Sequence, residues 1–237
     1  MNGDLQNSHI IPEFFYKLIY DTNPRRFRVI SAIESEPERY EQKGLREYLL
    51  CRDCEQKLGR WEHYSKGAFV DASGVQITHH KMAVVFSNLD YKSFKLFLLS
   101  LLWRMSVSTL DFFKEVSLGL HEEKLRLALI NEDPLRFHQY PCAMNVVEID
   151  GKACSDWFVQ PTLSRIDGCH VYSPVIAGIL FNFYVGSQSV QPSGVSHVLN
   201  ERGQMTLSVR QLRDIPFLIK FGRRLVQAQA ARPKARS

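Results

Sequence analysis

Ser8-His9-Ile10-Ile11-Pro12 and Leu49-Leu50-Cys51-Arg52-Asp53-Cys54-Glu55, about 40 residues apart, are the two most informative strings in this chain. Pro12 suits a first helical turn, where its missing N–H would be unbonded anyway, and Glu13 to Tyr20 is expected as a short apolar helix. Leu45 to Leu50 leads into Cys51. Beyond it, Leu58, Trp61 and Tyr64 recur at helical spacing, so Asp53 to Ala68 is expected as a helix. Cys51 and Cys54 therefore stand where a helix opens. Two thiolates at that spacing form a natural zinc chelate, but a closed structural site takes four ligands. His9 and His63 are candidate partners. Cys142, Cys154 and Cys169 lie far downstream without that spacing and are expected as buried hydrophobes. On residue types alone, three readings of the pair stay open: zinc half-site, redox dithiol at a helix N-terminus, and two cysteines at a core edge.

Outward from these strings the chain reads as α+β. Arg26 to Ile33 is a candidate short strand, Glu34 to Gln42 an acidic surface segment, and Val75 to Phe86 one or two strands. Tyr91 to Met105 is the strongest helix. Phe94, Phe97, Leu98, Leu101, Leu102 and Met105 recur every three or four residues, and the segment is apolar on most sides, which places it deep in the core. Asp111 to Val116 is a shorter helical stretch. His121 to Ile130 is a second clear helix that Asp133-Pro134 ends, and Glu122, Glu123 and Glu62 read as solvated helix faces. Tyr140 to Val185 turns to strands, punctuated by Asp150-Gly151, Asp167-Gly168 and Ser173-Pro174. Val209 to Ala231 is mixed, then helical. His79 and His80, adjacent on a strand, point to opposite faces and do not share an ion.

Composition bounds the function. The chain has 237 residues, 45% of them hydrophobic and 23% charged, enough to bury a core without staples. Its net charge of +5 is matched by the five cations of residues 221–237, which include Arg223 and Arg224 and contain no acid. Residues 1–220 are thus formally neutral, without the basic excess expected of a body that tracks phosphates. The tail reads as a solvated terminus or as a sequence-independent nucleic-acid contact through Arg223 and Arg224. An odd count of five cysteines and a polar start imply a cytoplasmic, reducing setting. The longest apolar stretches, Leu96 to Trp103 and Val171 to Val185, fall short of the roughly 20 residues that span a bilayer. No phosphate-cradling glycine loop and no Gly-x-Ser-x-Gly string is present.

Taken together, the two opening strings resemble the HNH (ββα-metal) endonuclease family, in the form of a bacterial branch shortened at its N-terminus. The resemblance implies a small ββα-metal-like module in residues 1–72, a larger mixed helix/strand body in 73–220 and a basic tail in 221–237. It implies His9 as the general base that activates water for phosphodiester hydrolysis. It implies Cys51 and Cys54 as the second zinc pair, and Glu55 as a ligand to a catalytic magnesium or manganese ion. Three departures stand beside it. Ser8 replaces the usual acidic or imidazole ligand. Arg46 replaces a base-orienting Asn; it would repel a metal ion but can hold a phosphate. The first Cys-x-x-Cys pair has no counterpart in the residues before Ser8. Two functions are therefore expected as alternatives: a metal-dependent endonuclease, or a catalytically inactive HNH-like structural or binding protein with a partial zinc site.

Overall fold

The computed structural model describes residues 4–17, 27–30, 39–166, 168–186 and 197–219, with side chains 27, 28, 39 and 40 left aside. Arg223 and Arg224 lie outside these residues. In chain order, β1 (Leu5–His9) is followed by α1 (Glu13–Lys17), β2 (Phe27–Ile30), β3 (Arg39–Glu41), β4 (Arg46–Cys51) and α2 (Arg52–Val70). The hairpin β5 (Gln76–His80) and β6 (Ala83–Ser87) leads to α3 (Tyr91–Val107) and α4 (Leu120–Ile130). Then come β7 (Cys142–Ile149), β8 (Lys152–Ala153), β9 (Trp157–Ile166), β10 (Cys169–Ile176), β11 (Ile179–Val185) and β12 (Met205–Gln211). The architecture is α+β, as the patterning predicts.

Two sheets organise these elements. β1 and β4 form a separate antiparallel pair. The large sheet runs β3-β2-β9-β10-β11-β7-β12-β6-β5, with β8 on β7. Its pairs are antiparallel except β2 with β9 and β12 with β7. Within the expected strand at 26–33, Phe27–Ile30 forms β2, which pairs with β3 on one side and, on the other, with β9, more than 120 residues away in sequence. β12 begins ahead of the segment expected as mixed texture, Val209 to Ala231, and overlaps only its first residues. Its alternation of buried Met205 and Leu207 with half-buried Thr206 and Ser208 is too short to separate from the helical texture that follows.

α3 is the axle of the core. Phe97, Leu101, Leu102 and Met105 are fully buried, and so are Lys95, Ser100 and Arg104. A helix apolar on most sides has no solvent face to offer, and α3 packs against both α2 and α4. One hydrophobic cluster runs from Ile10, Phe15 and Trp61 through α3 to Phe158 and Phe181, so the expected boundary at residue 72 does not divide the packing. A second cluster, with Val147, Trp157, Val175 and Leu218, is separate from it. Of the three downstream cysteines, Cys142 and Cys154 are buried as expected, whereas Cys169 at the start of β10 is half-buried. No helix among the described residues is long and apolar enough to cross a membrane.

Candidate functional site

β1, β4 and α2 follow one another in space as two antiparallel strands and a helix. The register places His9 directly opposite Arg46 and Leu5 opposite Cys51, with a bulge where the pairing steps from Gln6–Leu50 to Asn7–Tyr48. That one-residue slip changes the phase of the pleat, so Leu49 and Leu50 both face inward: Leu50 is buried and Leu49 packs on the core. The strand then passes straight into α2, whose first turn carries Asp53 and Glu55 against the positive end of the helix dipole.

His9 is fixed from every side. The Arg46 Nε–H donates to His9 Nε2 at 2.9 Å. Burial first, then the Arg46 charge, lower the imidazole pKa to about 4; Arg104 and Lys17 add to this and Glu13 opposes it. At neutral pH the ring is therefore uncharged. With Nε2 accepting, its proton sits on Nδ1, so the ring's one lone pair is already engaged by Arg46. A general base needs that lone pair free for water, and the arrangement does not offer it.

The backbone of His9 is held too. Arg104, 2% exposed on α3, donates through Nη1 to the His9 carbonyl at 2.8 Å and pairs with Glu62 of α2 at 2.6 Å. Its Nε–H donates to the Ser100 carbonyl at 3.3 Å, and its Nη2 is buried without a partner. Glu62 is thus no solvated helix face: it is the counter-ion of the core's buried arginine. Periodicity puts Glu62 three residues from the buried Ser65 and four from Leu58, on the edge of the buried stripe, and that edge position is the available signal. Ser8, in the position of a usual metal ligand, is buried and donates to the Gln6 carbonyl at 3.2 Å.

Gly44 sets how closely the loop before β4 approaches. A Cβ there would lie 2.7 Å from Tyr16 Cε2 and 2.9 Å from His9 Cδ2. Tyr16 cannot easily yield, because its ring stacks on Phe158 of β9 at 4.9 Å and its hydroxyl accepts the Leu45 N–H at 3.0 Å. Gly44→Ala is expected to displace the His9 ring and to cost about 1–3 kcal/mol as overpacking. Urea unfolding checks this: a lower midpoint with an unchanged slope is expected, and a wild-type midpoint would contradict it.

At the strand–helix junction, the backbone N–H of Cys54 and then the Cys54 thiol lower the pKa of the half-buried Cys51 thiol, while burial raises that of Cys54. The chemistry suits a metal or a disulfide partner equally. For a closed zinc site the donor set is incomplete: among the described residues no three His, Cys, Asp or Glu side chains converge on one point. The same holds for a magnesium or manganese site built on Glu55. Glu55 opens α2, and the Arg46 guanidinium, not a cation-binding oxygen, meets His9. Among the described residues, neither the thiol pair nor Glu55 is joined by the further donors that a closed site for either ion takes.

Elsewhere the structure assembles groups that the sequence reading left apart. His121, at the start of α4, meets the Tyr140 hydroxyl at 2.8 Å through Nδ1. Lys95 is fully buried beneath them and donates to the carbonyls of Gln139 and Tyr140 at 2.7 and 2.9 Å. His121, Gln139 and Tyr140 border a cleft of about 410 Å³ beside α4. His79 and His80 are both exposed and take no part. No family description, curated protein or solved structure matches this chain.

Proposed function

We propose that this chain is a non-hydrolytic HNH-like protein, in which the β1–β4–α2 unit serves as a structural and nucleic-acid-binding element. The observation that carries the reading is the Arg46 Nε–H bond to His9 Nε2. It occupies the lone pair a base would use and sets a permanent cation where the nuclease chemistry calls for a metal ion. The same guanidinium, exposed on β4, retains donors that suit a phosphate oxygen. The thiol pair Cys51 and Cys54 remains a zinc half-site in this reading, and no step passes through it.

The endonuclease reading has one observation in its favour: the His9 ring is neutral at physiological pH, the form in which an imidazole accepts a proton. One experiment separates the two. Supercoiled DNA and single-stranded RNA are incubated with the protein and with magnesium or manganese. Fluorescence anisotropy on a short duplex is run in parallel. Expected are cleavage no greater than that of His9→Ala, and salt-dependent binding that Arg46→Glu weakens about tenfold, with a log–log salt slope shallower by about 1. Metal-dependent cleavage that His9→Ala abolishes would overturn the proposal and restore the nuclease.

A further inference from the structure

We propose that the cleft between α4 and the segment 131–140 is a second, independent site that binds the phosphate group of a small metabolite. The cleft holds about 410 Å³, within the range of small-molecule sites, and is bordered by His121, Lys124, Asp133, His138 and Tyr140. Lys124 brings a positive charge, and the His121 and His138 rings and the Tyr140 hydroxyl bring hydrogen-bonding groups, against one carboxylate; Asp133 already accepts the Leu135 N–H through Oδ1 at 2.9 Å. The Lys124 ammonium and the His138 ring nitrogens have no hydrogen-bond or ion-pair partner among the described residues. Donors converging on one concave surface, with little carboxylate to satisfy them, are complementary to a compact anion.

The wall of the cleft is held in a costly conformation. Glu132, Leu135 and Tyr140 have φ of 53°, 59° and 47°, the left-handed region that side chains other than glycine seldom adopt. Such residues persist where the surroundings over-determine them, and they cluster at ligand sites. Here the surroundings do so with unusual means. A fully buried lysine, Lys95, is committed to the carbonyls of Gln139 and Tyr140. The Tyr91 hydroxyl donates to the Leu135 carbonyl at 2.8 Å, and the Arg136 N–H donates to Gln139 Oε1 at 3.0 Å. His121 is oriented in turn by the Tyr140 hydroxyl, edge-to-face at 5.5 Å between ring centres. The segment is pre-organised before any ligand arrives, which removes part of the ordering cost of binding. Leu127 and Leu135 line the same cleft and give the non-phosphate part of a ligand an apolar contact.

The test is a titration of the full chain with inorganic phosphate at pH 7.5 and constant ionic strength, read from the imidazole proton–carbon NMR signals of His121 and His138. Both signals are expected to shift saturably with a midpoint in the millimolar range, and Lys124→Ala, on an exposed helix position, is expected to raise that midpoint about fivefold or more. An unchanged thermal midpoint for Lys124→Ala confirms that the fold is intact, and His138→Gln provides a second variant. Arg46→Glu is expected to leave this titration unchanged, so failure here and failure of the nucleic-acid reading are separate results. Absence of a saturable shift up to about 50 mM phosphate would overturn the proposal, as would identical titrations for wild type, Lys124→Ala and His138→Gln.

Discussion

Arg104→Ala is expected to lower the free energy of unfolding by about 3 kcal/mol, the low end of the range for breaking a buried ion pair from one side. The guanidinium is 2% exposed and Glu62 24% exposed, so the orphaned carboxylate keeps some water and the loss stays at that end. The His9 carbonyl also loses its donor, and α3 gains a void where the buried guanidinium stood. Equilibrium denaturation measures the effect. Glu62→Gln keeps the volume and a hydrogen-bonding oxygen but removes the counter-ion, and is expected to cost less, about 1–2 kcal/mol. The two changes share one interaction, so the double variant should lose clearly less than the sum of the singles. Additive losses would show that Arg104 and Glu62 act separately and that Arg104 contributes mainly by filling space. The His9 NMR signal gives a second readout. If Arg104 positions the β1 end, it moves in Arg104→Ala even under conditions where the variant stays folded.

The same pair shows what the sequence discloses and what it withholds. The long helix from Tyr91 and the helix behind Cys51 are legible because their apolar residues repeat at three and four, a local property. The α+β class follows from those helices and the strand-rich stretch after Tyr140. The resemblance of the two opening strings implies a strand–strand–helix unit; in the structure β1 pairs with β4, which leads into α2, and α1, β2 and β3 lie between the two strands in the chain. What stays hidden is long-range. Nothing in Phe27 to Ile30 announces that this strand runs parallel to β9, because pairing partners more than 120 residues apart leave no periodic trace. Glu62 looks like any acidic helix residue until Arg104 arrives from another helix. Arg46 is visible as a departure from the HNH pattern, but its consequence depends on a 2.9 Å bond that only the register of β1 and β4 creates. The cleft at α4 was invisible for a further reason. Its residues come from the length of α4, the connection that follows it and Gly186 just past β11, and none of them forms a motif.

Lys95 should make the protein's stability climb with pH just above neutrality. Its ammonium is fully buried, and burial lowers its pKa from 10.5 to about 7, with a small opposing influence from the neighbouring Cys142. Such a lowering corresponds to about 5 kcal/mol between the two protonation states. In the folded chain the amine resists protonation, whereas in the unfolded chain it is charged up to about pH 10. Below pH 7 both states hold the proton and the folded state bears the full cost of a buried cation. As pH rises past 7 the folded state sheds its proton while the unfolded state keeps it, so the cost is relieved and stability rises at up to 1.4 kcal/mol per pH unit, an approximate limit. Between pH 7 and about 8.5 the expected gain is about 1.5 kcal/mol, below the range where the phenols of the unfolded chain begin to ionise. Lys95→Met, which keeps the length and loses the titration, is expected to lack this gain. Lys95 touches the electrostatics of Cys142, but burial holds that thiol far above this pH range, so the difference between the two profiles isolates Lys95. Chemical denaturation at several pH values measures it, and parallel profiles would refute the assignment. The neutral amine still donates to the Gln139 and Tyr140 carbonyls, so both are left unbonded in the variant. The pH-dependent cost of the lysine is therefore the cost of holding the wall of the α4 cleft in place, and a methionine that removed the first would loosen the second.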